Sequence, residues 1–214
     1  MYKISGTLSF ALLLLFSLYP VFSQANIAGQ IINAQGDIYT EDERELNTSD
    51  AVYAQDTIVT GDNSSAKLKM IDGAIIELGA NSKLKLDEYR YKEDSDDNAV
   101  FMSVVQGFFR TVSGLVGKNN PEAYRVETPL SSIGIQGTEY QVLIKEKDTY
   151  IGTRQGVIVV KEKDSFFGQE KTSQLGDEQA GRFLHISSSN TRALGSAWEI
   201  SDEIPDDFPA EFQR

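Results

Sequence analysis

The chain of 214 residues has no cysteine, one histidine and one tryptophan. Without cysteine there are neither disulfide staples nor thiolate metal sites, so stability has to come from packing. A single His185 excludes a polyhistidine metal centre and leaves a His-based triad only one place to be built. His185 stands among Phe183, Leu184 and Ile186, where it reads as a strand side chain. Positive charge is also scarce: 20 Lys and Arg face 32 Asp and Glu, a net charge of −12. Nucleic acid and anionic membrane surfaces are therefore poor partners, because phosphate binding needs a net or local positive field. No G-x-S-x-G elbow supports a serine nucleophile. No lysine follows Gly134 and Gly137 in P-loop spacing, so these glycines read as a tight corner. Pairs such as Asp62 and Asp72 are what so acidic a chain brings together by chance, and glycosidase chemistry ranks last. No cofactor is implied.

Long apolar runs are absent after the first 25 residues. Lys3, the run Leu8 to Leu18 broken only by Ser9 and Ser17, and Ser23-Gln24-Ala25 form a signal-peptide pattern, with cleavage expected after Ser23 or Ala25. The run falls short of the roughly 20 residues a spanning helix needs, so stable membrane insertion after cleavage is not expected. No cysteine follows to carry a lipid anchor. The mature chain, more acidic by one charge once Lys3 is gone, is expected to be soluble and periplasmic or secreted. Its length suits one domain with a sizeable core.

What is present is extended structure with bends. Ile27 to Ile32 and Gly36 to Tyr39 read as strands around an Asn33-Ala34-Gln35 turn, and Glu41 to Asp50 reads as a solvated loop. Ala66, Leu68 and Met70 alternate with lysines, Asp72-Gly73 tolerates positive φ, and Ile76 and Leu78 continue the period of two, which predicts a hairpin. Leu84 and Leu86, then Tyr89 and Tyr91, alternate with charged residues. Glu93 to Asn98 is an acidic surface loop. Its oxygens are of the kind Ca²⁺ takes, but the EF-hand spacing, glycine and final glutamate are missing, so Asp94 to Asn98 reads as surface loop, with a calcium site as the alternative. Val100 to Arg110 is extended, with Gly107 inside it.

The stretch Tyr124 to Val142 organises the rest. Tyr124, Val126 and Thr128 alternate with charged residues until Pro129 removes a backbone donor; Gly134 and Gly137 then punctuate Ile133, Ile135, Tyr140 and Val142. The prediction is strand, corner, strand. Thr60 and Thr138 are expected to place hydroxyls against backbone groups at the bends. Tyr150-Ile151, Val157 to Val160, Phe166-Phe167 and Phe183 to Ile186 are further strand candidates, Asp164 to Glu178 reads as a longer loop, and Ala193 to Ile200 as a helical turn or two around Trp198 within an acidic tail, 187 to 214. Gln-Gly recurs at 35–36, 106–107, 136–137 and 155–156, each time beside an extended run, which suggests rungs that stack. The fold class is all-β: stacked short strands in a β-solenoid or β-roll over 26 to 186, with a Greek-key sandwich as the alternative.

The run Val126, Glu127, Thr128, Pro129, Ile133, Gly134, Ile135, Gln136, Gly137, Thr138, Glu139, Tyr140 resembles the signature of the FecR domain family. Asp56, Ile58, Thr60, Gly61, Ser65, Ala66, Leu68, Asp72, Gly73 and Leu78 are similar to its opening segment, and Gly156 with Val157 to Val160 to its closing strand. Gln136 stands where the family usually has arginine, which removes a cation from that position. The resemblance implies an extracytoplasmic domain of the kind that relays an outer-membrane transporter's signal towards a sigma factor. A cytoplasmic anti-sigma segment is not expected here, and what is expected to carry over is the module. Two functions from different classes follow: a non-enzymatic binding and signalling module that recognises an envelope protein through a strand edge or the acidic loops, or a binder of envelope glycans or another small ligand that stacks on Tyr89, Tyr91 and Trp198.

Overall fold

The computed structural model describes residues 26–163, 171–176, 182–188 and 196–204, together with 206 and 210. The expected signal peptide and the Phe166-Phe167 strand lie outside the described residues. The described chain is all-β. Its strands are β1 (Ile27–Gln35), β2 (Ile38–Thr40), β3 (Ala51–Tyr53), β4 (Thr57–Thr60), β5 (Ser65–Met70), β6 (Ile75–Leu78), β7 (Lys83–Arg90), β8 (Ala99–Val112), β9 (Tyr124–Glu127), β10 (Ser131–Lys145), β11 (Asp148–Glu162), β12 (Thr172–Leu175), β13 (Phe183–Ser188) and β14 (Ser196–Ser201). One short helix, α1 (Leu115–Asn119), and a 3-10 turn, Pro121–Ala123, link β8 to β9. The main path of the sheet runs β14-β13-β11-β10-β9-β8-β6-β5-β1-β3, with β12 on β11 and a branch β2-β4-β7 onto β8. The sheet is mixed: β8 and β9 run parallel, whereas neighbours such as β10 and β11 are antiparallel.

The strand alternation expected from the sequence is realised in β5 and β6. Ala66, Leu68 and Met70 point inward, and the Asp72-Gly73 turn, with Gly73 at φ +83°, closes the hairpin. The long strands β8, β10 and β11 are less simple. In β10, Ile133 and Ile135 face the core, then Tyr140, Val142 and Ile144, so the buried set moves from odd to even positions across Gln136-Gly137. β11 makes the same change across Gln155-Gly156, from Thr149 and Ile151 to Ile158 and Val160, and β8 across Gln106-Gly107, from Met102 and Val104 to Phe109 and Thr111. One residue at positive φ turns the strand over, as in a β-bulge, and pairing resumes beyond it. Three of the four Gln-Gly pairs are therefore bends inside strands: Gly107 lies within one extended run as expected, whereas separate strands were expected on either side of 136–137 and of 155–156.

One buried cluster gathers residues from strands as distant in order as β1 and β13, including Ile31, Phe109, Tyr140 and Ile186. Burying each such large apolar side chain contributes about 1.5–3 kcal/mol. Outside the core a row of charges crosses the sheet. Lys67 pairs with Glu77 at 2.8 Å, Glu77 with Arg110 at 3.2 Å, and Arg110 with Glu139 at 2.5 Å, so neighbouring strands present alternating sign.

Three expectations need correction at the ends. β1 runs through Asn33-Ala34-Gln35, because Asn33, Ala34 and Gln35 pair with Lys67, Ala66 and Ser65; the turn falls at Gly36 instead. The expected loop Asp164 to Glu178 contains β12, whose Leu175 is buried opposite Ile158. Where helical turns were expected around Trp198, β14 extends the sheet: Trp198 lies opposite Ile186 and Ile200 opposite Leu184, and apolar cross-strand pairs favour the strand.

Candidate binding groove

The family-like residues occupy two kinds of place. The first is a line of corners. Thr60 accepts the Ser82 N–H at 2.9 Å through its hydroxyl, which donates to the Gly79 carbonyl at 2.6 Å. The Ser82 hydroxyl is also bonded to the Phe108 carbonyl (3.0 Å) and N–H (2.9 Å), so two side chains fasten the β4, β6, β7 and β8 bends together. At the next corner the Thr128 hydroxyl accepts the Ser131 N–H at 2.8 Å, which closes the turn that contains Pro129. Thr138 behaves differently from expectation. Its hydroxyl is buried with no hydrogen-bond partner among the described residues, while its backbone N–H donates to the Ser113 hydroxyl at 3.0 Å. Its methyl lies under Gly156, 2.9 Å from where a Cβ there would stand, so the residue serves as packing and Ser113 supplies the hydroxyl. Gly156, at φ +76°, would drive that Cβ to 2.4 Å from the Gly137 carbonyl oxygen. Backbones at this corner touch.

Asp72 is 1% exposed, and it does more than turn the hairpin. Its carboxylate accepts the Tyr89 hydroxyl at 2.7 Å and the Ala74 N–H at 3.1 Å, and its carbonyl accepts the Leu115 N–H at 2.9 Å, which ties the β5–β6 turn to the start of α1. Tyr124 and Tyr140 share a hydrogen bond of 2.9 Å in the same interior. Burial pushes all three phenols up, with the Asp72 charge adding to the effect on Tyr89, so they stay protonated. Tyr89 is thus a core residue and offers no ring face to a ligand, which corrects the stacking role expected of it. Tyr91 and Trp198 are half-buried against the core. Tyr91 lines a cleft of about 300 Å³ with Ile71 and Asn98, whereas Trp198 belongs to β14, so the three rings form no common platform. Sequence reasoning missed the Asp72–Tyr89 bond, although a signal was there: the apolar set passes from even positions, Leu84 and Leu86, to odd ones, Tyr89 and Tyr91, and the pairing with β8 is shifted between Lys85 and Glu88.

The second place is a groove of about 710 Å³ on the outer side of β8, β9, β10 and β11. Gly134 and Ile135 contribute to its floor, Phe101 and Val159 flank it, and Gln136 and Lys161 stand at its rim. The Arg125 guanidinium lies over the Phe101 ring at 4.9 Å and pairs with Glu127 at 2.9 Å, and Lys163 pairs with Glu127 at 2.5 Å. Lys163 also donates to the Thr128 carbonyl at 2.9 Å, so the groove is joined directly to the Thr128-Pro129 turn.

No cluster of three or more His, Asp or Glu placed to hold a metal occurs among the described residues. In the acidic loop, the Asn98 side chain is bonded to both backbone groups of Lys92 and to the Ser95 carbonyl, and Arg90 pairs with Asp97. His185 stacks on Tyr150 with ring centroids 4.4 Å apart and lies 3.0 Å from an Asp148 oxygen, a cross-strand arrangement. No helix among the described residues is long and apolar enough to cross a membrane.

No match was found among curated proteins. Two crystal structures, each described as a "putative anti-sigma factor" from Parabacteroides distasonis ATCC 8503, resemble the chain with TM-scores of 0.47 and 0.46 at 15% and 16% identity. Each likeness covers 68% of this chain and 60% of the other, so the chain spans about three fifths of those proteins. The family model "FecR protein" matches residues 56–159, from the strand before Thr60 to the strand that contains Gly156. Residues 56–159 are thus identified as a FecR domain.

Proposed function

We propose that the protein is a non-enzymatic FecR-type binding and signalling module, exported to the periplasm or the cell exterior, that recognises a protein of the cell envelope. The observation that carries this reading is the groove. The family signature itself builds a broad open surface, lined by apolar side chains and by ion pairs that already satisfy one another, which suits a polypeptide ligand better than a reaction centre. Buried Tyr89 removes the main support for glycan stacking. We also propose that the strands are wound as a roll; the close contacts of Gly156 with Gly137 and of Gly176 with Gly156 align successive corners and support that winding over a sandwich. Crosslinking of the protein in its native envelope tests the functional reading. Recovery of one defined envelope protein is expected; retention of glycan alone, or of nothing, would refute it.

A further inference from the structure

Gly134 lies inside β10, opposite Val159, with neither a positive φ nor any atom within 4 Å of where a Cβ would stand. Each other glycine with described surroundings has a positive φ or a neighbour within 3.3 Å of that point. A glycine in a strand interior weakens the strand, and one that the chain's own packing does not require marks a place where something else comes close. Gly134 lines the groove, with Val159 opposite it on β11 and, on the β9 side, Arg125 lying over the Phe101 ring. Charge around it is uneven. Glu127 is neutralised by Arg125 and Lys163, while Lys161, exposed on the β11 rim, has no carboxylate within ion-pair distance among the described residues, and Glu122 lies at the opposite end beside Pro121.

We propose that the groove receives an extended segment of the partner protein, with an aromatic side chain lying flat on Gly134 between Phe101 and Val159, and a carboxylate on the β11 side meeting Lys161. This rests on the reading above and says where and by what chemistry that partner docks. A ring fits the floor because nothing projects from Gly134 to hold it off; one face rests on the Gly134 backbone, and its edges meet Val159 on one side and the Arg125–Phe101 pair on the other. The carboxylate is directed to Lys161 because Glu122 repels it at the far end. In a chain of net charge −12, this rim offers an anionic residue a cation that no acid among the described residues neutralises.

The test places a photo-crosslinking residue at Gln136, in the groove, or at Lys85 on β7, outside it, in the full chain expressed in its own envelope. Each is combined with the native glycine, Gly134→Val or Lys161→Glu. No atom lies within 4 Å of where the Gly134→Val Cβ would stand, so the substitution fills the floor, and thermal unfolding checks that the fold is kept. Capture of a defined protein from position 136 that falls roughly tenfold or more with Gly134→Val, weakens with Lys161→Glu, and is competed by excess acetyl-Asp-Phe-Asp-amide but not by acetyl-Asp-Ala-Asp-amide supports the proposal. Capture unchanged by Gly134→Val, capture from position 85 alone, or equal competition by the two peptides overturns it and leaves the binding-module reading standing. Crosslinking to a second copy of the chain also overturns it. If no protein is captured from either position, the binding-module reading falls, and the docking proposal with it.

Discussion

Gly137 and Gly134 are three residues apart in one strand, yet they answer to different constraints. At the corner, Gly137 adopts φ +64° and its carbonyl is approached so closely by Gly156 that no side chain fits on Gly156. In the groove, Gly134 has ordinary extended backbone and open space above it. The corner is explained by the chain itself: strands that change face need a residue in the left-handed region, and stacked corners need bare backbone. The groove glycine is explained by nothing among the described residues. A family signature can therefore hold architectural and surface positions side by side, and only the surroundings of each residue separate them.

The contrast can be strained first at the corner. Gly156→Val meets both a positive φ and a backbone oxygen, and should cost about 3 kcal/mol or more in urea denaturation. Asp72→Ala comes next, at about 2–3 kcal/mol, because it leaves the Tyr89 hydroxyl and the Ala74 N–H buried without their acceptor; adding Tyr89→Phe should return roughly 1 kcal/mol of that loss, read from a double-mutant cycle. Ser82→Ala should cost about 1–2 kcal/mol by removing the hydroxyl that bridges the Phe108 backbone to the Gly79 carbonyl. A smaller effect is expected from the charge row outside both regions. Burial pushes the Glu77 carboxyl up, but Lys67 and Arg110 outweigh it and hold it below the usual range. A depressed folded pKa means that the contribution is complete above the unfolded carboxylate value and is lost as pH falls through the folded one. Glu77→Gln should therefore lower stability slightly at pH 7, by less than about 1 kcal/mol, and flatten its decline under acid in denaturation midpoints taken from pH 6 to pH 3. The smallest effect on folding belongs to Gly134→Val, within about 0.5 kcal/mol of the native chain in the same assay, because a β-branched residue suits a strand and nothing obstructs it.

Much of the scaffold was readable in advance because period-two alternation and turn residues report local geometry directly. The β5–β6 hairpin and the stop at Pro129 are examples. What escaped depends on pairing across distance. Leu175 and Trp198 have little periodicity around them and become strand residues only because Ile158 and Ile186 wait opposite. The length of β10 and β11 was hidden for a related reason: a glycine at positive φ looks like the end of a strand, whereas hydrogen bonding to the neighbour resumes one bulge later. α1 forms although Gly117 lies within it, at a place where Asp72 holds its first residue. Asp72-Gly73 reads as a turn, and its second role depends on Tyr89, seventeen residues away in the chain. As for the groove, the sequence supplies its glycines without saying which one faces open space. That distinction requires the positions of Phe101 and Val159.

The most direct measurement is the order of urea midpoints for Gly134→Ala, Gly137→Ala and Gly156→Ala in otherwise identical protein. Position 134 imposes neither constraint, 137 imposes only its positive φ, worth about 1–2 kcal/mol, and 156 adds a backbone collision to its φ. The expected order of stability is therefore 134 close to native, 137 lower and 156 lowest. Equal losses at all three positions, or a loss at 134 as large as at 156, would contradict the division between a corner the chain builds for itself and a floor it leaves open.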